Sequence, residues 1–297
     1  MLKLSLLAFI GTVTLSDLNG CVSMLLNRVN HIHGDTMSVD YIEQGKGQTV
    51  ILLHSTAAGN RQWKKLIELL SDDYRVIAPN LFGYGATDKW SDKRSQTLKD
   101  QAEIIRQFVP SDGSKFSLVG HSFGGSIAMM GAKIFQHHLD KLILIEPNPN
   151  YLLRDMGRSA EFNEILELRN CIKINGANKS WEVAAEVFAN YFNGSGAWNA
   201  MSIDRREKFI NALKPNFHEW DAVINEQTSI KEWKSCLPKN TTVLSCVKTI
   251  SSISGIIKIL RANMKSWDFI EYSEGGHMAP LTNPDIINPI IIKALRG

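Results

Sequence analysis

Gly120-His121-Ser122-Phe123-Gly124 reads G-x-S-x-G, and its surroundings decide the fold. The apolar run Phe116-Ser117-Leu118-Val119 precedes it, and the small residues Gly124, Gly125, Ser126 and Ala128 follow or close it. That order predicts a strand, a sharp turn and a helix. Such a turn is strained and lifts the serine hydroxyl above the sheet edge. The helix start behind it offers free N–H groups and a positive dipole end, which suits a developing oxyanion. At average glycine and serine usage, chance supplies such a pentapeptide about once per 3,000 positions. The weight therefore falls on what lies on either side.

Strands alternate with helices in both directions. Upstream, Met37 to Ile42, Gln48 to Leu53 and Tyr74 to Ala78 read as strands, and Arg61 to Leu70 and Leu98 to Val109 as helices. Downstream, Lys141 to Ile145 is the next strand. This alternation predicts a doubly wound, mostly parallel sheet. It breaks near Pro147. From 148 to 236 only helical patterns occur, at Glu161–Leu168, Trp181–Phe192, Arg205–Leu213 and Phe217–Ile224. The α/β pattern then resumes with a strand at Thr242 to Val247, a helix at Ile253 to Met264, a strand at Trp267 to Tyr272 and a final helix at Pro284 to Leu295. The expected organisation is a sheet domain over 37–147 and 237–297, with a helical insertion over 148–236.

The 297 residues are 44% hydrophobic and 21% charged, with a net charge of +3. That is long enough for one large α/β core plus an insertion. No basic run or dense Lys/Arg cluster occurs, so nucleic acid is not an expected partner. The N-terminus differs from the rest. Met1-Leu2-Lys3 carries one positive charge, Leu4 to Leu15 is nearly uncharged and apolar, and Leu18-Asn19-Gly20-Cys21 follows. This predicts an export signal over 1–20. The apolar run is too short for a membrane span of about 20 residues. Leu-x-Gly-Cys resembles the lipobox of bacterial lipoproteins, which would make Cys21 the lipidated first residue of the mature chain. The expected location is then the bacterial cell envelope, on a lipid anchor; a periplasmic or secreted soluble protein is the alternative. Cys171, Cys236 and Cys246 would remain, an odd number that cannot all pair, and no C-x-x-C occurs.

Four motifs, the elbow among them, agree in order with one family. Leu52-Leu53-His54-Ser55-Thr56 resembles a His-Gly-x loop after a third strand, and Ala78-Pro79-Asn80-Leu81-Phe82-Gly83-Tyr84-Gly85 resembles the loop after a fourth. Gly120 to Gly125 is the elbow. Gly275-Gly276-His277-Met278-Ala279-Pro280 resembles the late loop that carries a catalytic histidine. Together they resemble the α/β hydrolases with a helical cap inserted after the sixth strand, from about Met37 to the C-terminus. The resemblance implies Ser122 as nucleophile and His277 as the base that it needs, since a serine hydroxyl is inert at its own pKa. It also implies an oxyanion hole from the backbone N–H groups of Phe123 and Thr56, although Ser55 replaces the usual glycine.

The third catalytic member departs from the pattern. These hydrolases usually place an aspartate after the strand that follows the cap. Here that stretch is Leu244-Ser245-Cys246-Val247-Lys248-Thr249-Ile250, and no Asp or Glu occurs between Glu232 and Asp268. Glu146, at the end of the strand after the elbow helix, resembles the acid of relatives that place it there, some haloalkane dehalogenases among them. Glu274 is the runner-up. Asp268 begins its strand and falls at the far end of the sheet.

The expected activity is carboxylic-ester hydrolysis through an acyl-enzyme, without cofactor or metal. C–C bond hydrolysis, acyl transfer and cofactor-free perhydrolysis are alternatives on the same residues. A non-catalytic envelope lipoprotein that binds a small apolar ligand is the alternative of another class. A serine at the elbow argues against epoxide hydrolase or dehalogenase chemistry, since those resembling families use aspartate there. His31-Ile32-His33 and His137-His138 have no acidic or cysteine partner at ligand spacing, so they read as surface histidines. The insertion is rich in aromatics, among them Phe188, Phe192, Trp198, Trp220 and Trp233. Most should form its own core, and a few should roof an apolar pocket for an apolar or aromatic acyl group.

Overall fold

The computed structural model describes residues 27–31 and 37–297. The export signal and Cys21 lie outside the described residues. Eight strands form one sheet: β1 (Asn27–His31), β2 (Ser38–Gln44), β3 (Gln48–Leu53), β4 (Tyr74–Pro79), β5 (Phe116–His121), β6 (Leu139–Ile145), β7 (Thr241–Cys246) and β8 (Asp268–Tyr272). Their order is β1-β2-β4-β3-β5-β6-β7-β8. The pairs β1·β2 and β2·β4 are antiparallel, and all others are parallel. β1 is an addition to the strands read from sequence.

The continuous apolar runs of the central strands follow from burial on both faces. Successive side chains point to opposite sides. Ile51, Leu53, Ile77 and Leu118 enter one core layer, whereas Val50, Leu52, Val76 and Val119 enter the other. Helix α1 (Lys64–Leu70) packs into the second layer through Leu66, Ile67 and Leu70. Helices α2 (Leu98–Ala102) and α3 (Phe123–Ile134) cover the first. The segment after α2 continues as a 3₁₀ helix over Glu103–Phe108, so the helix expected over Leu98 to Val109 changes pitch part-way.

Between β6 and β7 lie six helices: α4 (Tyr151–Asp155), α5 (Ser159–Ala177), α6 (Trp181–Asn193), α7 (Ile203–Leu213), α8 (Asn216–Asn225) and α9 (Ile230–Cys236). Two are additions to the four helical patterns read from sequence. Most cap aromatics pack inward: Trp198, Trp220 and Trp233 are buried in the same layer as α3. The chain then forms α10 (Ser251–Asn263), a short turn of helix α11 (Ala279–Thr282) and α12 (Pro284–Arg296). α12 seals the second layer with Ile287, Ile291 and Leu295. Among the described residues no helix is long and apolar enough to cross a membrane.

Candidate active site

The turn between β5 and α3 needs its glycines. A Cβ at Gly120 would lie 2.3 Å from the Gly124 carbonyl oxygen, and one at Gly124 would lie 2.2 Å from the Leu53 carbonyl oxygen. The chain can therefore reverse tightly enough to set Ser122 at φ 54°, in the left-handed region that a non-glycine residue rarely adopts. Ser122 N–H donates to the Ile145 carbonyl at 2.9 Å, which ties the turn to the end of β6.

One residue beyond that carbonyl is Glu146, also left-handed at φ 44° and fully buried. His277, buried in the loop after β8, lies between the two. Its Nε2 is 2.9 Å from Ser122 Oγ and its Nδ1 is 2.7 Å from Glu146 Oε2. A carboxylate only accepts, so Nδ1 carries the proton and Nε2 is left to accept from the serine hydroxyl. Glu146 is fixed in turn: Cys246 N–H donates to its Oε1 at 2.6 Å and Thr249 Oγ1 donates to its Oε2 at 2.8 Å. The end of β7, which carries no acid of its own, thus supplies donors that hold an acid from β6. Glu274 is exposed and Asp268 sits at the start of β8. His277 is brought together with neither.

The backbone N–H of Phe123 opens α3 and has no i−4 carbonyl to meet. Neither it nor the N–H of Thr56 donates to another described group. Both residues are buried and both line the cavity above Ser122. Buried backbone amides are nearly always paired, so two unpaired ones beside one hydroxyl mark a place where a ligand oxygen fits.

The loop that carries Thr56 is held from two sides. On the core side, Gln62 Oε1 accepts from Ser55 N–H at 3.0 Å and Ser55 Oγ at 2.9 Å, and its Nε2 lies 3.1 Å from His121 Nδ1. His121 Nε2 then donates to the His277 carbonyl at 2.8 Å. Burial, with His277 next to it, pushes the His121 pKa well below its ordinary value, which keeps it neutral. His54 is also fully buried; its Nδ1 donates to the Ser55 carbonyl and its Nε2 accepts from Leu81 N–H. Burial lowers its pKa to about 4.

On the cap side stands Glu219 of α8, 1% exposed. It accepts from Thr56 Oγ1 at 2.6 Å, Tyr84 OH at 2.8 Å and Asn216 Nδ2 at 2.9 Å. Burial pushes its pKa up and the three hydrogen bonds pull it back. Burial also raises the Tyr84 phenol, with the Glu219 charge adding to it. Sequence reading singled out neither Glu219 nor Gln62. An acid on a helix reads as part of a solvated face, and nothing local marks a bond that spans 163 residues.

The cavity is narrow, with about 20 Å³ for the centre of a water-sized sphere, room for about one water. Phe188, Phe192, Trp220, Val223 and Met278 form its apolar wall, and Asn148, Asn216 and Glu219 add polar groups. The pocket expected to be apolar is thus mixed, with a carboxyl in its wall. Phe192 of α6 lies over His277, ring centroids 5.1 Å apart. Among the described residues no group of three or more His, Cys, Asp and Glu side chains is placed to hold a metal ion, and His137 and His138 are exposed.

Sheet order, the elbow and the helical insertion after β6 decide the architecture. It is the α/β-hydrolase fold. The family model for that fold matches residues 48–169. Among curated relatives, the karrikin insensitive 2 receptor CA of Petunia hybrida is 23% identical over 252 residues, covering 83% of this chain and 91% of its own. The 2-hydroxy-6-oxo-6-(2'-aminophenyl)hexa-2,4-dienoic acid hydrolase of Metapseudomonas resinovorans is 34% identical over 113 residues, 35% of this chain and 37% of that one. The esterase EaEST of Exiguobacterium antarcticum superposes with a TM-score of 0.70 or better, at 0.72, with 17% identity, covering 92% of this chain and 100% of that one. The α/β-hydrolase fold thus joins this chain to proteins named as receptor, hydrolase and esterase.

Proposed function

We propose that the protein is a serine hydrolase that cleaves carboxylic esters through an acyl-enzyme on Ser122. The observation that carries this reading is the unbroken chain from Ser122 Oγ to His277 to Glu146, at 2.9 and 2.7 Å. His277 Nε2 removes the hydroxyl proton as Ser122 Oγ bonds to the substrate carbonyl carbon. The carbonyl oxygen takes up the displaced electron pair, and the N–H groups of Phe123 and Thr56 donate to it. The intermediate collapses, the C–O bond to the alcohol breaks, and the imidazolium returns its proton to that oxygen. Water repeats the sequence on the acyl-enzyme and releases the acid. Glu146 holds the imidazole tautomer and faces the imidazolium while it is charged. No step calls for a cofactor.

The aromatic wall favours an apolar acyl group. A non-catalytic ligand-binding protein would keep the pocket and leave Ser122 unreactive, which gives the test. A fluorophosphonate probe should label the wild type at Ser122 and fail to label Ser122→Ala, with mass analysis locating the adduct. A well-folded wild type that stays unlabelled and leaves p-nitrophenyl acetate intact would overturn the hydrolase reading.

A further inference from the structure

The catalytic chain makes no use of the buried carboxyl of Glu219. Glu219 comes from the cap, yet two of its three hydrogen-bond donors, Thr56 and Tyr84, belong to core loops. Thr56 Oγ1 is bonded directly, at 2.6 Å. The second link runs through Tyr84, whose hydroxyl donates to Glu219 and accepts from Ala57 N–H at 3.0 Å. Ala57 is held at φ 61°, a left-handed conformation that an alanine adopts only when its surroundings impose it. Glu219 thereby grips the loop at the residue whose N–H faces the reacting oxygen and at the strained residue after it. Among the described residues no cation pairs with this carboxyl, and its donors Thr56, Tyr84 and Asn216 are neutral. A buried, unpaired carboxylate is costly, so its presence calls for a function that an apolar residue could not supply.

From this geometry we infer that Glu219 is the positioning residue of the oxyanion loop, and that a seated cap completes the oxyanion hole. When α8 is docked, Thr56 and Ala57 are pinned and the Thr56 amide is fixed beside Ser122. When α8 moves away, the pin leaves with it and the loop loses its cap-side support. Substrate that closes the cap would then assemble the hole in the same movement, a form of induced fit. This inference rests on the reading of Ser122 as nucleophile and of the Thr56 amide as an oxyanion donor.

A double-mutant cycle in the full-length protein tests it, with p-nitrophenyl acetate as substrate. Thr56→Val keeps the backbone N–H and the side-chain shape but removes the bond to Glu219. Glu219→Ala removes the acceptor, and Glu219→Gln retains one oxygen for Thr56. Thr56→Val and Glu219→Ala should each lower kcat roughly 10- to 100-fold, with KM within about threefold, because a donor displaced by a fraction of an ångström is lost mainly to the transition state. The double variant should be no slower than the slower single, since both remove one link. Glu219→Gln should recover most of the rate. Phenylboronic acid, which forms a tetrahedral adduct on an active serine, should bind the impaired variants more weakly by a similar factor. A kcat within twofold of wild type in Glu219→Ala, a change confined to KM, or an additive double variant would each overturn the inference. Should Glu219→Ala fail to fold, Thr56→Val and Tyr84→Phe carry the test, and wild-type kcat in either overturns it. Wild-type labelling at Ser122 separates the two readings. If it is absent, the hydrolase reading fails; if it is present and the variants are unimpaired, only the role of Glu219 fails.

Discussion

Ser122, Glu146 and Ala57 sit at φ 54°, 44° and 61°, and all three border the same cavity or the residues that line it. Left-handed backbone at a non-glycine residue costs on the order of 1–3 kcal/mol and persists only where its neighbours impose it. Here each is tied down: Ser122 N–H to Ile145, Glu146 N–H to Leu244 at 2.9 Å, and Ala57 N–H to Tyr84. Glu146 shows what that rigidity does. Both its oxygens already accept from β7-side donors, Cys246 N–H and Thr249 Oγ1. In Glu146→Gln the amide NH₂ must face one of these donors or His277 Nδ1–H, and every choice sets donor against donor. If it faces His277, the proton moves to Nε2 and the base can no longer accept from Ser122. kcat for p-nitrophenyl acetate should fall roughly 10³- to 10⁴-fold, as when the tautomer is wrong in a serine protease, while Glu274→Gln should stay at the wild-type rate. The reverse pattern would reassign the acid. Ser122, His277 and Glu146 could be singled out from sequence because glycines and a conspicuously missing acid frame them. Glu219 and Gln62 could not, since their partners are brought in only by the folded chain.

Central elements could be read because burial wrote them into the sequence. β3 carries Val50-Ile51-Leu52-Leu53 and β5 carries Phe116, Leu118 and Val119, all buried, as strands covered on both faces require. β1 has a single apolar residue, Val29, in Asn27-Arg28-Val29-Asn30-His31. It is a strand through antiparallel pairing with β2, which leaves no apolar pattern to find. α4 has five residues and α9 seven, too few for a helical period to stand out. Over Leu98–Phe108, periods of 3.6 and 3.0 residues place apolar side chains almost alike, so the change of pitch stays hidden. His54 links two such elements: it follows β3 and accepts from Leu81, just after β4. Its folded pKa of about 4 lies below the ordinary 6.5. From pH 6.5 down to about 4, the unfolded chain therefore binds a proton that the folded chain refuses. The His54 share of stability should be full above pH 6.5, fall by about 3 kcal/mol as pH drops through this window, and level off below it, while His121, also held neutral by burial, adds a loss of its own. Urea unfolding at pH 7.5 and 4.5 measures the loss, and His54→Gln should make it shallower, with the His121 part remaining. A variant with the same pH slope as wild type would show that the proton is taken up elsewhere.

At the scale of the whole molecule, the cavity exists only because two parts of the chain meet. The sheet domain contributes Ser122, Phe123, Thr56 and His277, and the cap contributes Phe188, Phe192, Trp220 and Glu219. Residues 148–236 and the flanking core segments are far apart in sequence, so the pattern of each could be read but not the face they share. That is why the aromatic roof could be anticipated in kind and the carboxyl within it could not. The closed cavity leaves only about 20 Å³ for the centre of a water-sized sphere, room for about one water and far below the roughly 300–1,000 Å³ of ligand pockets, which favours short acyl groups. Phe192, its ring tilted over His277, closes the side nearest that histidine, so a long chain has to lift α6 to enter. Opening that way breaks hydrophobic contacts of the closed state, and this cost offsets the roughly 0.8 kcal/mol that burial of each added methylene would contribute. Among p-nitrophenyl esters, kcat/KM should therefore peak at acetate to butyrate and fall at least tenfold by octanoate. Phe188→Ala removes wall without touching His277 or the oxyanion loop, so it should move the peak towards longer acyl chains while the acetate rate holds within a few-fold. A wild type that prefers octanoate would mean that the cap stands open in solution and that the closed cavity does not set the choice of acyl group.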